Sequence, residues 1–346
     1  PSLVGSEMCI RDSLCGWRKK NQYFRFDSLG RFSCRKHIFA RDEYAGNMSH
    51  AGRSGEMSIL VTDAAFGVGE WPRPDLPMRP VPCGFACPCA PCARAELMAF
   101  CCAQTRDVTV LRRRDYAQVC RMPAAPGTNL MCFSPCCRYL YQLGSDADCV
   151  HVRAVATGEL LFAAPVGVFP RHMRLHPDGS RLLVAGGAMD EAYVLTAPGL
   201  NRLAGIGTRY ACFAADFWRG GLVLVCATDG EDIQTVVYTL PPQALKPREL
   251  TRLPGQPGGL CVCPDALHAL VSTREGLMLL DLIGGRLLWN LPQWALSVRL
   301  ECRGAQALVS GALTGQVGLL DVRTPWNGRV LVSGVEPQAC FLPGGG

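Results

Sequence analysis

A repeat limits the fold more than any other feature of this chain. A short apolar strand that ends in proline, or in a stand-in for proline, recurs seven times. CGFACP ends at Pro88, LMCFSP at Pro135, MRLHP at Pro177, ACFAADF at Phe217, LCVCP at Pro264, VRLECR at Arg303 and ACFLP at Pro343. The steps between these ends are 47, 42, 40, 47, 39 and 40 residues. After each marker but the last come a second strand (ELMAFC, RYLYQLG, RLLVAGG, GLVLVCA, HALVST, QALVSG) and a third (DVTVL, CVHVRA, EAYVLT, IQTVVYT, GLMLLDL, GQVGLLDV). A fourth closes the unit (AQVCRM, ELLFAA, NRLAGIG, RELTRL, RLLWNL, GRVLVS). Arg171–Thr196 is the clearest copy: HMRLHP alternates with the period of a strand, Asp178-Gly179 supplies a hairpin turn, and RLLVA reads as a strand covered on both faces. Such a unit cannot bury both faces alone and needs copies of itself on either side.

Four strands in a repeat of about 41 residues predict an all-β, seven-bladed β-propeller built from four-stranded antiparallel blades. The seventh unit holds only its first strand, ACFLP. The missing strands lie at the other end, where LVTDAAFGVGEW (60–71) matches LVSGALTGQVGLL (308–320). The ring is therefore expected to close by pairing of N- and C-terminal strands, which leaves no open sheet edge.

Residues 57–346 are assigned to one propeller domain, and residues 1–56 to a non-native or disordered leader. PSLVGSEMCIRDS (1–13) resembles a translated sequencing adaptor, and residues 14–56 show no sustained period. The start of the native protein is then expected at Met48 or Met57, and a true basic tail is the alternative. Charge separates the two parts. The leader carries ten Lys/Arg against six Asp/Glu, and the remainder 25 against 23, so most of the net +6 lies outside the propeller. Three of the four lysines, Lys19, Lys20 and Lys36, also fall in the leader. A body so nearly neutral gives no reason to expect nucleic acid or a membrane as partner. No apolar run reaches the length of a membrane span, and no signal-peptide pattern opens the chain.

The unit HPDGSRLLVAGG, with the second strands LYQLG, LVCATDG, LVST and LVSG, resembles the YVTN-type, YncE-like family of β-propellers over about residues 58–346. The resemblance implies a seven-bladed ring and leaves function open, since propellers of this broad type include lactonases and partner subunits of oxidoreductases. The Gly-His and Trp-Asp signatures of WD repeats are absent.

Twenty cysteines in a chain of this length read as reduced thiols of a cytoplasmic protein. Cys132, Cys261 and Cys340 lie three residues before their markers, and Cys87, Cys263 and Cys302 one before. Recurrence in register points to packing in inner strands, where space is short. A sharper alternative places Cys89, Cys92, Cys136 and Cys137 on equivalent turns of adjacent blades, where four sulfurs could hold zinc or an iron–sulfur cluster. Their spacing is not a standard ligand pattern, so no metal and no cofactor is assigned.

The loops between second and third strands are acidic in three consecutive blades: Asp146 and Asp148, then Asp190 and Glu191, then Asp229 and Asp232. They share a face with the blade connections and form a negative arc, unless Asp serves there only as a turn former. Arg171, His172, Arg209 and Trp294 lie on the connections at the channel mouth and are the candidate ligand-binding residues, Arg as a carboxylate or phosphate fork and Trp as a stacking surface. His151, His172, His176 and His268 are the propeller's only histidines, His176 reads as a satisfied core group, and no catalytic motif accompanies them. The expected function is therefore a monomeric, non-enzymatic binding or scaffolding propeller that recognises a protein or small ligand on the loop-bearing face. The alternative is a lactonase-like hydrolase with its site at the channel mouth. Convergence of Arg171, His172 and nearby carboxylates in one pocket would favour the hydrolase, and outward splaying would count against it.

Overall fold

The computed structural model describes residues 58–63, 67–72, 77–83, 89–92, 97–102, 105–311, 314–334 and 337–342. Residues 1–56, Met48 and Met57, and with them the leader and start-site expectations, lie outside the described residues, as does Cys87.

Among the described residues, twenty-eight strands form seven sheets of four, all antiparallel. Blade 1 has the order Gln338–Leu342, Ser58–Asp63, Gly67–Trp71, Arg79–Val81, so its innermost strand comes from the far end of the sequence. That strand pairs in register with the first one, from Ser58 opposite Leu342 to Thr62 opposite Gln338. The expected closure is present. Blades 2 to 7 follow the chain, with inner strands Cys89–Pro91, Thr128–Phe133, His172–Leu175, Ala211–Trp218, Pro257–Val262 and Ser297–Arg303. Consecutive inner strands are neighbours around the whole circle and enclose the central channel.

The physical reason for the ring is visible in its core. Among the described residues, apolar side chains gather into seven clusters, and each lies between two adjacent blades. Period two sorts the strands between them. Ile59 and Val61 face blade 7, whereas Leu60 between them faces blade 2. Second and third strands are buried almost throughout, as in Gly221–Ala227, and outermost strands such as Leu160–Pro165 are largely exposed.

One marker is corrected. The inner strand of blade 2 runs Cys89–Pro91, and Cys92 N–H closes its turn on Leu97 O, as Ser134 N–H does on Tyr139 O and His176 N–H on Arg181 O. Cys92 is thus the equivalent of Ser134, and Pro88 is not a marker. Cys89 belongs to a strand, opposite Phe100, rather than to a turn. The turn of HPDGS forms as expected, with Gly179 at φ 76°, a value that suits glycine.

Candidate functional site in the central channel

Three inner strands carry charge inward. In His172–Leu175, His172 and Arg174 face blade 5, where His172 Nδ1 accepts Ala215 N–H at 3.5 Å and Arg174 Nε lies 3.7 Å from Asp216 Oδ2. Met173 between them packs towards blade 3. Arg174 Nη2 also donates to Leu300 O at 3.1 Å. Leu300 belongs to blade 7, three blades away in a ring of seven, so this guanidinium bridges the channel from one wall to the other. Asp216 is tied down as well: Oδ1 accepts Phe217 N–H at 2.8 Å and Oδ2 accepts Val262 N–H of blade 6 at 2.9 Å. In blade 7, Glu301 Oε2 accepts Phe341 N–H at 3.3 Å, Arg303 donates to Leu342 O at 2.7 Å, and Arg299 donates to Gln338 Oε1 at 3.4 Å. All three reach the closing strand of blade 1.

Burial resists the charge on Arg174, but Asp216, Cys261 and Glu301 outweigh it and hold the guanidinium protonated. Burial raises Asp216 and Glu301 above the ordinary carboxylate range, with Arg174 opposing in both cases. Burial first, then the charge of Arg174, drives His172 down to about 3, so the ring is neutral at physiological pH. Thiols fill the remaining inner positions: Cys261, Cys263 and Cys340 are buried, and burial pushes Cys132 up to about 12. Cys263 and Cys302 sulfurs touch at 4.0 Å. Packing accounts for these recurrent cysteines.

The histidines make stability depend on pH. His172 and His151 are both held below their ordinary 6.5, by burial and then by Arg174 and Arg153 respectively. Between pH 6.5 and the folded value the unfolded chain binds more protons. Their contribution is therefore complete above pH 6.5 and is lost as pH falls. Asp216 and Glu301, with raised values, act in the opposite sense on acidification. Comparing wild type with His172→Asn isolates the histidine. Urea titrations should show the slope of stability between pH 6.5 and about 4 flattened by up to one proton, about 1.4 kcal/mol per pH unit. An unchanged slope would mean that His172 is open to water.

The candidate residues fall into separate groups. Arg171 is exposed and stacks over the Phe213 ring at 4.9 Å, and Arg209 is exposed over Tyr210 at 5.4 Å. Trp294 is corrected as a rim stacking surface. It is 4 % exposed, packed between blades 6 and 7, and a Cβ on Gly318 would sit 2.3 Å from its ring. On the loops, Asp148 accepts Phe169 N–H at 2.8 Å, joining its turn to the blade 3–4 connection, and Glu191 pairs with Arg202. Asp146, Asp190, Asp229 and Asp232 are exposed. Of the expected set, only His172 enters the channel cluster. Arg174, Asp216, Arg299 and Glu301 were not singled out in the sequence, although charge at alternate positions of inner strands (HMR, RLE) marks all of them but Asp216.

The four-sulfur site is not formed. Cys92 and Cys137 are joined as a disulfide between blades 2 and 3, with Cα atoms 6.2 Å apart, while Cys136 turns to Ser134 Oγ at 3.3 Å. The expectation of uniformly reduced thiols is corrected at that pair. Among the described residues no group of three or more His, Cys, Asp or Glu is placed to hold a metal ion, and no helix is long and apolar enough to cross a membrane.

No protein-family model matches the chain, and no curated protein sequence does. Solved structures do. A candidate 6-phosphogluconolactonase from Bacteroides fragilis superposes with TM-score 0.63 at 12 % identity, over 85 % of this chain and 100 % of that one. Its counterpart from Bacteroides uniformis gives 0.64 at 10 %, over 84 % and 100 %. The Neurospora crassa Pan2 WD40 domain gives 0.52 at 14 %, over 71 % and 78 %. At such identities the likeness shows the fold alone, and the chain is a seven-bladed, all-β propeller.

Proposed function

We propose that the chain is a non-enzymatic binding propeller, and that it takes a protein segment bearing basic and apolar side chains on the face of the blade connections. The observation that carries this reading is a mixed patch over blades 3 to 5. Val168, Phe169, Met189 and Ile233 stand exposed there beside Asp190, Asp229, Glu231 and Asp232. The loops are locked together: Ala188 N–H donates to Val168 O and Thr208 N–H to Asp190 O. Large exposed apolar groups rimmed by charge are what a recognition surface requires. The YVTN-type relationship, the monomeric state and a cytoplasmic setting belong to the same proposal. Its supports are the HPDGS hairpin and the buried thiols Cys212, Cys226, Cys261 and Cys263.

The lactonase reading draws on the two Bacteroides neighbours and on the convergence of His172, Arg174 and Asp216. Those groups are occupied with one another. His172 is too weak a base at about 3 to activate water near neutrality. Both oxygens of Asp216 already accept backbone N–H groups, and Arg174 spans the passage a substrate would enter.

The test compares chains captured from source cells by wild type and by the variant Asp229→Lys/Glu231→Lys/Asp232→Lys. The substituted side chains are exposed, so Tm should stay within a degree or two. A partner held by wild type should be weakened by about tenfold or more in the variant, and weakened further by salt. A partner retained equally by both would place recognition elsewhere. Steady hydrolysis of a phosphogluconolactone by the pure protein, lost in His172→Asn, would favour the enzyme instead.

A further inference from the structure

On the opposite face, between blades 3 and 4, a cleft of about 380 Å³ opens beside the turn Ser134–Arg138 and the turn Pro177–Gly179. Two observations mark it. Cys136 is exposed at its edge, whereas the other thiols among the described residues are buried or half-buried. Tyr141 lines the same cleft with a side chain at 0 % exposure, and its hydroxyl has no hydrogen-bond partner. A buried phenol without a partner is destabilising, and a ligand acceptor in the cleft would remove that cost. We propose that this cleft is a thiol-modification site, in which Cys136 forms a mixed disulfide with a small, carboxylate-bearing disulfide that Tyr141 and Arg138 hold in place.

The local chemistry suits the step. Ser134 Oγ accepts Tyr139 N–H at 3.1 Å, which leaves its own hydroxyl proton to donate to Cys136 Sγ at 3.3 Å. That hydrogen bond is the largest influence; burial opposes it, the N–H groups and charge of Arg138 add to it, and together they bring the thiol from its ordinary 9.0 down to about 7. A large thiolate fraction at neutral pH follows. The cleft at the sulfur is lined by Arg138, Tyr139 and Tyr141 from blade 3 and by Asp178 from blade 4. Asp178 is held by Ser180 and His176. Arg138 is left to meet a carboxylate of the ligand, and Tyr141 to donate its O–H. In the step, Cys136 Sγ⁻ attacks one sulfur of RS–SR. The new S–Sγ bond forms as the old S–S bond breaks, and the leaving RS⁻ takes the electron pair and then a proton from water. Cys136 is oxidised, one half of the disulfide is reduced, and a reduced thiol reverses the step. The neighbouring Cys137 is already committed to Cys92 in another core cluster.

The full 346-residue chain is treated with glutathione disulfide, or with uncharged methyl methanethiosulfonate as comparator, and adducts are located by peptide mass mapping. Among the cysteines of the described residues one glutathionyl group is expected, on Cys136, with a half-maximal rate near pH 7 rather than near 9. Compared at alkaline pH, on the plateau where the thiol is fully ionised in every variant, Tyr141→Phe and Arg138→Gln should each slow glutathione disulfide several-fold and leave the comparator's rate unchanged. Arg138 is exposed at the cleft, so its variant remains informative if the buried substitution disturbs folding. Ser134→Ala should move the pH profile upward for both reagents. The proposal is overturned if the adduct maps elsewhere. It is equally overturned if both reagents respond alike to Tyr141→Phe and Arg138→Gln, or if Cys136 is recovered bridged to Cys92 or Cys137.

Discussion

Arg174→Ala should cost about 3–4 kcal/mol of stability, the lower part of the range for breaking a buried ion pair, because its side chain keeps 30 % exposure against 14 % for Asp216. The loss has two sources. Asp216 stays buried without its countercharge, and the strut from blade 4 to Leu300 of blade 7 disappears. The variant therefore carries its own signature. With Arg174 gone, Asp216 should titrate still higher, so the deficit should shrink as the medium is acidified and the carboxyl takes up a proton. His172, relieved of a neighbouring positive charge, should become more basic, which NMR titration of its ring would register. Adding Asp216→Asn should recover about 1–3 kcal/mol of the loss in a double-mutant cycle. Strictly additive losses would mean that the pair is not coupled and that the bridge has little weight.

Ending the chain before Gln338 should abolish cooperative unfolding altogether. The deletion removes Ala339, Cys340, Phe341 and Leu342, all buried, from two core clusters at once. It also takes away the acceptors or donors of Arg299, Glu301 and Arg303. Truncating one buried Phe or Leu costs about 2–5 kcal/mol, and a domain has only about 5–15 kcal/mol to lose. Calorimetry should show no transition, and the product should aggregate through the bared edge of Ser58–Asp63. Supplying residues 338–342 as a peptide should restore some solubility. A deletion that melts normally would mean that the ring stands without its clasp.

What could be read from residues alone follows from the reach of each interaction. Blade number, strand count and the closing pair were legible, because every blade must present apolar groups on both faces and the same text therefore recurs. The first repeat step was misjudged because Pro88 imitates a marker, whereas the turn is set by the Cys92–Leu97 hydrogen bond. Antiparallel order fixes the side on which alternate turns lie, so a shared face for the loop carboxylates could be expected from strand order alone. Trp294 was misplaced because its hole is made by Gly318 in the next blade. Arg174 was missed for a like reason: its acceptor lies 126 residues away across an opening whose width no local pattern encodes. The unpartnered hydroxyl of Tyr141 was equally out of sight, because only the packed structure shows which polar atoms go without.

The pairing of Ser58–Asp63 with Gln338–Leu342 also bears on how the molecule is made. Translation delivers the first strand about 280 residues before its partner, roughly a quarter of a minute to a minute at about 5–20 residues per second. Throughout that interval the strand can pair with Gly67–Trp71 on one edge only, while its other edge stays bare and Ile59 and Val61 lack the blade 7 surface they pack on, and such segments are what holding chaperones bind. Blades 2 to 7, each contiguous in sequence, can form as they emerge. Blade 1 alone waits for the far end of the chain, and its earliest-made strand is among the last to settle.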